Sequence, residues 1–457
     1  MIRVFSHWLP SKTVFQLVFD VLLLFTMVLG AAWLDRDNAP ALSTVALYAL
    51  AFALLTTALN KAIGFYQLDA TRGVAHVLAL ALVSFFLAAP VAYAIFDELP
   101  THGSHYQFLQ TSALLALAAI VALRIYVAHS GFTPMLPRRV IVLGTGPEAQ
   151  AVEKSLRAGD FRVVGFYPVR GDAVTRVPQN RLIPTDVPLL DTIRKLRVNE
   201  IIVAIGERRG GTMPLNELLE CKLAGVRVLD LSSYFERALG QVHLDSLRAS
   251  WLIFGDGFRQ GVLRTFIKRI FDIVVASILL VISLPVMLLT AVVILMEGGF
   301  PIFYRQERVG RAGRIFRVTK FRSMRQDAEG DGRPRWAASN DHRITRVGRF
   351  IRKYRIDELP QLLNVLNGDM SLVGPRPERP FFVDQLTQNI PFYAARHSIK
   401  PGLTGWAQVR YHYGATLDDA ANKLQFDLYY VKNHTLFLDL VVLFETVVVV
   451  VTGKGAQ

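Results

Sequence analysis

The sequence has very little cysteine and little charge. A single cysteine, Cys221, among 457 residues excludes an intramolecular disulfide framework and leaves no cysteine cluster for a zinc or iron–sulfur centre. Charged residues make up 19%, against about 25% in soluble domains. Acidic residues are the scarcer kind, 37 against 51 Lys and Arg, for a net charge of +14. That balance favours anionic partners such as lipid headgroups, nucleic acid or phosphorylated metabolites. What is abundant is apolar: hydrophobic residues reach 52% and the mean hydropathy is +0.33, which excludes a disordered chain and suggests a membrane protein. At roughly 150 residues per domain the length predicts about three domains.

Residues 1–130 hold four long apolar runs, 14–34, 41–63, 74–96 and 108–128, each near the ~20 residues that cross a bilayer as helix. They read as four transmembrane helices. The first run exceeds the apolar core of a signal peptide, about 7–15 residues. Arg3 and Lys12, then Lys61 and Arg72, then Arg138 and Arg139 mark three cytoplasmic positions, while the remaining two connections hold little basic charge and should face outward. Asp20 lies within the first run, where an ionisable group turns inward or pairs.

Over 138–250 the pattern changes to short β-branched runs separated by polar stretches with Gly and Pro, the mark of an α/β domain with a parallel sheet. The first run feeds Gly144-Thr-Gly146-Pro-Glu-Ala149, a loose match to the phosphate-binding turn between strand and helix. Tyr167-Pro168 stands where an acidic ribose ligand belongs, and Asp172 arrives late. Two readings stay open: a bound nucleotide or sugar nucleotide, or a degenerate Rossmann-like scaffold. Residues 231–258 read as a linker with scattered aromatics, including Trp251 and Phe254.

A third unit, 265–457, starts with the apolar stretch 270–296. Residues 301–360 then carry 16 Lys and Arg against 7 Asp and Glu, and placing such a segment outside would violate the positive-inside tendency. Pro285 removes a backbone donor mid-stretch and Ser283 can bond freed backbone groups. A helix that enters and returns to the same face fits, with an ordinary fifth span as the alternative. The apolar run 436–451 is short and interrupted by Asp439 and Glu445, so it is expected to be interfacial or core-packed.

Most of the arginines between 305 and 355 suit anionic membrane lipid. Asp357-Glu358 follows them. These carboxylates are either ion pairs that neutralise the patch or a nucleophile and metal ligand with arginines stabilising phosphate charge. Few aromatics interleave the basic run, which disfavours nucleic acid.

The stretches KRIFDIVVASILL, PIFYRQERVGRAGRIFRVTKFRSM, RVGRFIRKYRIDELPQLLNVLNGDMSLVGPRPERP and HSIKPGLTGWAQVRYHYG resemble, in order, the polyprenyl-phosphate hexose-1-phosphate transferases, also called monotopic phosphoglycosyl transferases. The chain is most similar to long-form members associated with exopolysaccharide and PEP-CTERM clusters. The resemblance implies a multidomain membrane protein with a four-helix transmembrane region, a Rossmann-like α/β domain and a mixed α/β catalytic domain with a re-entrant membrane helix. It would lie in the bacterial inner membrane with the catalytic domain cytoplasmic. The implied reaction moves a sugar 1-phosphate from a nucleotide sugar, expected to be a UDP-sugar, to undecaprenyl phosphate, as the first membrane step of exopolysaccharide synthesis. Carried over, Asp357 is the nucleophile and Glu358 assists with Mg²⁺; Arg352 and Arg376 hold phosphate, with Lys320 and Arg322 as further candidates. The family's membrane helix often breaks at an adjacent Ser-Pro, whereas Leu284 separates Ser283 from Pro285 here. The rival readings are a membrane-bound nucleotide-sugar dehydratase or epimerase, for which 138–261 offers no Tyr-x-x-x-Lys pair, and a noncatalytic assembly scaffold. Sequence leaves the sugar and the oligomeric state open.

Overall fold

The computed structural model describes residues 2–4, 7–9, 11–34, 41–62, 74–97, 114–122, 138–155, 161–169, 175–205, 213–244, 247, 261–326, 328, 343–411, 414 and 416–452. Asp172, Trp251, Phe254 and the ends of the run 108–128 lie outside these residues. The chain divides into two compact units, 8–229 with 1–4, and 230–457 with 5–7.

In the first unit, helices α1 (Ser11–Leu34), α2 (Leu42–Ala62) and α3 (Val74–Asp97) occupy the first three expected spans, and residues 114–122 are helical within the fourth. Leu24 and Val28 of α1, Ala49 and Phe52 of α2, Ala92 and Phe96 of α3, and Ala116 and Ile120 form one buried cluster. The alanines let the backbones approach, as helices in lipid require. Asp20 is fully buried, as expected of an ionisable group within a long apolar run. Among the described residues, Thr13–Trp33, Leu42–Lys61 and Val262–Gly298 are long and apolar enough to cross a membrane.

The same unit holds β1 (Arg138–Leu143), α4 (Pro147–Ser155), β2 (Phe161–Tyr167), α5 (Leu189–Lys195), β3 (Glu200–Val203) and α6 (Leu215–Leu223). With β4 (Arg227–Asp230) the strands form a four-stranded sheet in the order β2-β1-β3-β4. β1 pairs in parallel with both β2 and β3, as the β-branched runs predict. Gly144 has φ +116° and a Cβ there would lie 2.3 Å from the Ala204 carbonyl oxygen, so the turn itself demands glycine. Ala149 is fully buried. Both small residues thus have a packing reason that calls for no ligand.

The second unit opens with α7 (Leu231–Leu239), in the stretch expected to be a linker. Asp230 caps this helix through Ser233 N, and Gly240 ends it with φ +63°. Val242 and Leu247 belong to the main hydrophobic core of the unit, and Trp406 Nε1 donates to Gly240 O at 2.7 Å. These residues read as a linker because their apolar positions are spaced too irregularly to announce a core contribution.

Helix α8 (Val262–Gly298) runs 37 residues through Pro285. The hydroxyl of Ser283 donates to Leu280 O, whereas the acceptor Pro285 leaves free by its missing N–H is Val281 O. Both flanks of α8 are tied to one unit. Near its start, Arg269 donates to Val365 O and Leu366 O, both at 2.6 Å, and Asp272 accepts from Leu372 N at 3.3 Å. Near its end, Glu297 accepts from Val347 N at 3.2 Å and Gly299 O accepts from Arg322 at 2.7 Å. Ile278, Val281, Ile282 and Leu284, between these flanks, are exposed.

Strands β5 (Phe303–Val309) and β6 (Ile315–Phe321) form an antiparallel hairpin. There follow α9 (Arg346–Lys353), a 3₁₀ turn at Ile356–Glu358, α10 (Gln361–Asn367), β7 (Ser371–Val373), α11 (Pro380–Asn389), a second 3₁₀ turn at Tyr393–Ser398, β8 (Gly402–Thr404), α12 (Trp406–Arg410), α13 (Leu417–Asn433) and α14 (Leu436–Thr452). β7 and β8 pair in parallel. They approach so closely that a Cβ on Gly374 would sit 2.5 Å from Lys400 O. In α14, Asp439 is buried against Lys268 Nζ at 2.8 Å, and Leu438 and Val442 enter the core; the helix is core-packed, one of the two placements expected.

Candidate active site

The dyad sits on the 3₁₀ turn Ile356–Glu358 between α9 and α10. Arg355, immediately before it, has φ +55°, a left-handed conformation that a non-glycine residue adopts only where its surroundings enforce it. Leu359 N closes the turn on Ile356 O at 3.2 Å, and Pro360 starts α10. With about three residues per turn, consecutive side chains diverge by about 120°. Asp357 and Glu358, both buried, therefore meet different neighbours.

Glu358 points into cations. Lys320 Nζ and Arg376 Nη2 donate to its Oε1 at 2.9 and 2.8 Å, and Arg355 Nη1 reaches Oε2 at 3.4 Å. Burial alone would raise its pKa, but Arg376, Lys320 and Arg355 outweigh it and hold the carboxyl well below the usual range. Asp357 makes no ion pair or hydrogen bond among the described residues. Burial, and then the neighbouring Glu358 charge, push it up to about 6, with Lys320, Arg352 and Arg376 opposing. Burial lowers the Lys320 ammonium despite Glu358.

Each partner has its own scaffold. Asn364 of α10 accepts from Thr319 N at 3.1 Å and donates to Arg317 O at 2.8 Å, which fixes the edge of β6 and hence Lys320. Arg269 donates to Val365 O and Leu366 O in the last turn of α10, a favourable place for a cation. Asp272 holds β7, which leads through Gly374 to Arg376. The start of α8 thus steadies both α10 and the loop that carries Arg376.

The site lines a cleft of about 630 Å³ that includes Lys320, Arg352, Arg355, Asp357, Glu358 and Arg376. Of the residues expected from sequence, the structure brings Asp357, Glu358, Lys320, Arg352 and Arg376 into this one cleft. Arg322 also lines it, but its guanidinium donates to Gly299 O and caps α8. Ser283 and Pro285, expected to mark a kink, lie in the middle of α8, which runs on through both of them, and neither lines the cleft. Sequence reasoning missed Arg355, whose only signal was its place three residues before Glu358. It also missed Tyr393, Arg396 and Asp427, which line the same cleft from distant segments.

Among the described residues no three Asp, Glu, His or Cys side chains gather as a metal site. Mg²⁺ commonly needs only one or two carboxylates, with substrate phosphates and water completing its shell. Glu358 Oε1 is taken by two cations; Oε2, held among the described residues by the 3.4 Å contact to Arg355, is the oxygen left to serve beside Asp357. The residues present fit an ion that arrives with a diphosphate.

Residues 263–453 match the family described as Bacterial sugar transferase. Over 240 residues the chain is 45% identical to a UDP-N-acetylgalactosamine-undecaprenyl-phosphate N-acetylgalactosaminephosphotransferase of Aeromonas hydrophila, covering 52% of this chain and 56% of that protein. It is 41% identical over 191 residues to the uncharacterized sugar transferase EpsL of Bacillus subtilis, covering 42% of this chain and 90% of EpsL. A UDP-glucose:undecaprenyl-phosphate glucose-1-phosphate transferase of Xanthomonas campestris is 31% identical over 357 residues, 74% of this chain and 72% of that protein. The chain thus spans little more than half of the first of these relatives but most of the other two.

Proposed function

Because the chain belongs to the bacterial sugar transferase family, we propose that it transfers a sugar 1-phosphate from a UDP-sugar to undecaprenyl phosphate, with Asp357 carrying the phosphosugar in between. The observation that carries this reading is the division of labour in the dyad: three cations fix Glu358, while Asp357 beside it has no ion-pair partner among the described residues and lines a cationic cleft.

In the first step a carboxylate oxygen of Asp357 attacks the phosphorus that bears the sugar. The bond from that phosphorus to the bridging oxygen breaks, and UMP leaves with the electron pair. In the second step a phosphate oxygen of the lipid attacks the same phosphorus and releases Asp357 as carboxylate, leaving a diphosphate-linked sugar. A diphosphate repels an approaching carboxylate. Lys320, Arg352 and Arg376, all within electrostatic reach of Asp357, offset that repulsion. Glu358 keeps Lys320 and Arg376 in place before the substrate arrives. Mg²⁺, bound by Glu358 and Asp357 with the diphosphate, would supply further charge neutralisation. Since the two substrates use one carboxylate in turn, they need not fit together.

The placement of α8 supports a re-entrant membrane helix, because both its flanks bond the same unit while its apolar middle is exposed. Such a helix would hold the cleft at the cytoplasmic face of the inner membrane, with Arg346, Arg349 and Lys353 of α9 available to anionic lipid. The place in exopolysaccharide assembly rests on the sequence resemblance. The Gly144–Ala149 turn takes no part in this chemistry, and no observation favours a dehydratase, an epimerase or a scaffold. The test is to incubate the purified chain with Mg²⁺ and a panel of UDP-sugars, then add undecaprenyl phosphate. UMP release and a phosphosugar on the peptide containing Asp357 before the lipid is added are expected; turnover without any adduct would refute the covalent route.

A further inference from the structure

Arg396 lies on the 3₁₀ turn after α11 and is buried. Its guanidinium joins its own turn to two distant segments. Nη1 donates to the Tyr393 hydroxyl at 2.6 Å, Nη2 pairs with Asp427 Oδ2 of α13 at 2.7 Å, and Nη2 also donates to the backbone carbonyl of Arg376 at 2.9 Å. The last contact matters most. Arg376 stands in the Gly374-Pro-Arg-Pro-Glu378 loop, whose side chain meets Glu358 Oε1 at 2.8 Å. Within this loop Gly374 N bonds Thr404 O and Glu378 O accepts from Val309 N, each at 2.9 Å. Between these two anchors, Pro375 and Pro377 have no N–H to donate; Pro375 O accepts from Gly402 N and Pro377 O from Arg308 Nη1, each at 3.0 Å, and the Arg396 guanidinium holds the carbonyl that lies between them.

We propose that Arg396, locked by Asp427 and Tyr393, is a positioning residue that fixes the Arg376 backbone so that its guanidinium reaches Glu358. This deepens the transferase reading and rests on it for its catalytic consequence. A buried ion pair of this kind adds little net stability over apolar packing, so its use lies in orientation: a planar fork reaches three oxygens on three segments, which a lysine ammonium at the end of a flexible stem does not reproduce. Burial raises the Asp427 carboxyl even with Arg396 beside it, and Tyr393, buried, is pushed up to about 12.

The test uses the full chain in detergent with Arg396→Lys, Asp427→Asn, Arg376→Ala and the double variant Arg396→Lys with Arg376→Ala. Single-turnover UMP release with UDP-sugar alone should fall by up to about 10²-fold in Arg396→Lys, the scale of a small misplacement of a group at a reacting centre. The double variant should be no slower than Arg376→Ala, because Arg396 acts through Arg376. If the two losses multiply, Arg396 does not work through Arg376 and the inference is wrong. Hydrogen exchange gives a readout that needs no substrate. Faster exchange at the Gly374 and Val309 amides, with α10 unchanged, is expected in Arg396→Lys and in Asp427→Asn, and unchanged exchange in either folded variant overturns the proposal. A wild-type chain that releases no UMP from any UDP-sugar would instead sink the transferase reading, while the exchange comparison would still judge Arg396.

Discussion

Lys320 Nζ lies 2.9 Å from Glu358 Oε1, an oxygen that Arg376 shares at 2.8 Å, while Asp357 one residue earlier has no such partner among the described residues. The two carboxyls therefore carry opposite consequences for stability. Asp357 rises from 3.8 to about 6 on folding, so folding favours its protonated form. Its stabilising contribution is complete below pH 3.8 and is lost as pH rises to about 6. At pH 7.5 the buried charge costs the fold about 3 kcal/mol. Asp357→Asn should abolish turnover and the covalent adduct while raising the midpoint of urea unfolding at pH 7.5 relative to pH 4. A lowered midpoint would show that the charge is paired in solution.

Glu358→Gln should do the reverse. Its folded pKa is depressed, so its contribution is present above the usual carboxylate range and is lost as pH falls through the depressed value. Glutamine leaves Lys320, Arg355 and Arg376 without their counter-charge, a loss on the order of 3–5 kcal/mol for a broken buried pair. Calorimetry at pH 7.5 should find a lower melting temperature than wild type, and an unchanged one would mean that the three cations find other partners.

The first half-reaction requires ionised Asp357. Its rate in single-turnover UMP release should climb with pH through a limb near 6. Lys320→Met removes a cation that opposes this rise, so the limb should move upward in that variant. A limb that stays in place would assign the titration to another group.

How far the site was legible in the sequence depends on what its parts share. Asp357, Glu358, Arg352 and Arg376 belong to continuous strings that resemble a known family, and the spans and the parallel sheet follow from hydropathy and β-branched runs. The partnership of Lys320 with Glu358 was not readable, because the two are 38 positions apart and meet only in the folded chain, where Asn364 clamps β6. Arg355 was missed because nothing in a basic run distinguishes a residue with positive φ. Arg396 and Asp427 come from segments with no charge pattern that announces a pair. The 231–247 region was misread because its apolar positions are irregularly spaced, although Leu231, Tyr234 and Phe235 of α7 are buried and Val242 and Leu247 enter the core.

The topology of α8 can be tested directly. With Cys221 replaced by serine, single cysteines at Thr265 and Arg305 should label from the same side of inverted membrane vesicles, because Arg269 and Asp272 on one flank and Glu297 and Gly299 on the other bond one unit. Labelling from opposite sides would make α8 an ordinary span and place half of these contacts across the bilayer.

Where the catalytic unit begins is open to the same kind of test. Asp230 caps α7, Gly240 O accepts from Trp406, and Val242 and Leu247 enter the core that also holds Leu372, Val373 and Trp406. A chain starting at residue 230 keeps all of these, together with the dyad, its cations and both flanks of α8. It lacks the Gly144–Ala149 turn, whose glycine and alanine are explained by packing. It should therefore retain UMP release in detergent. A chain starting at residue 260 loses α7 with its buried Leu231, Tyr234 and Phe235, removes Val242 and Leu247 from the core and leaves Trp406 Nε1 without its acceptor, at roughly 1–3 kcal/mol for the unpaired donor and a further 2–5 kcal/mol for each vacated core site. That shorter chain should melt lower and lose activity on warming first. If both truncations are equally stable, the 231–247 segment is a linker after all. If the longer one folds but is inactive, the first unit supplies something the reaction needs.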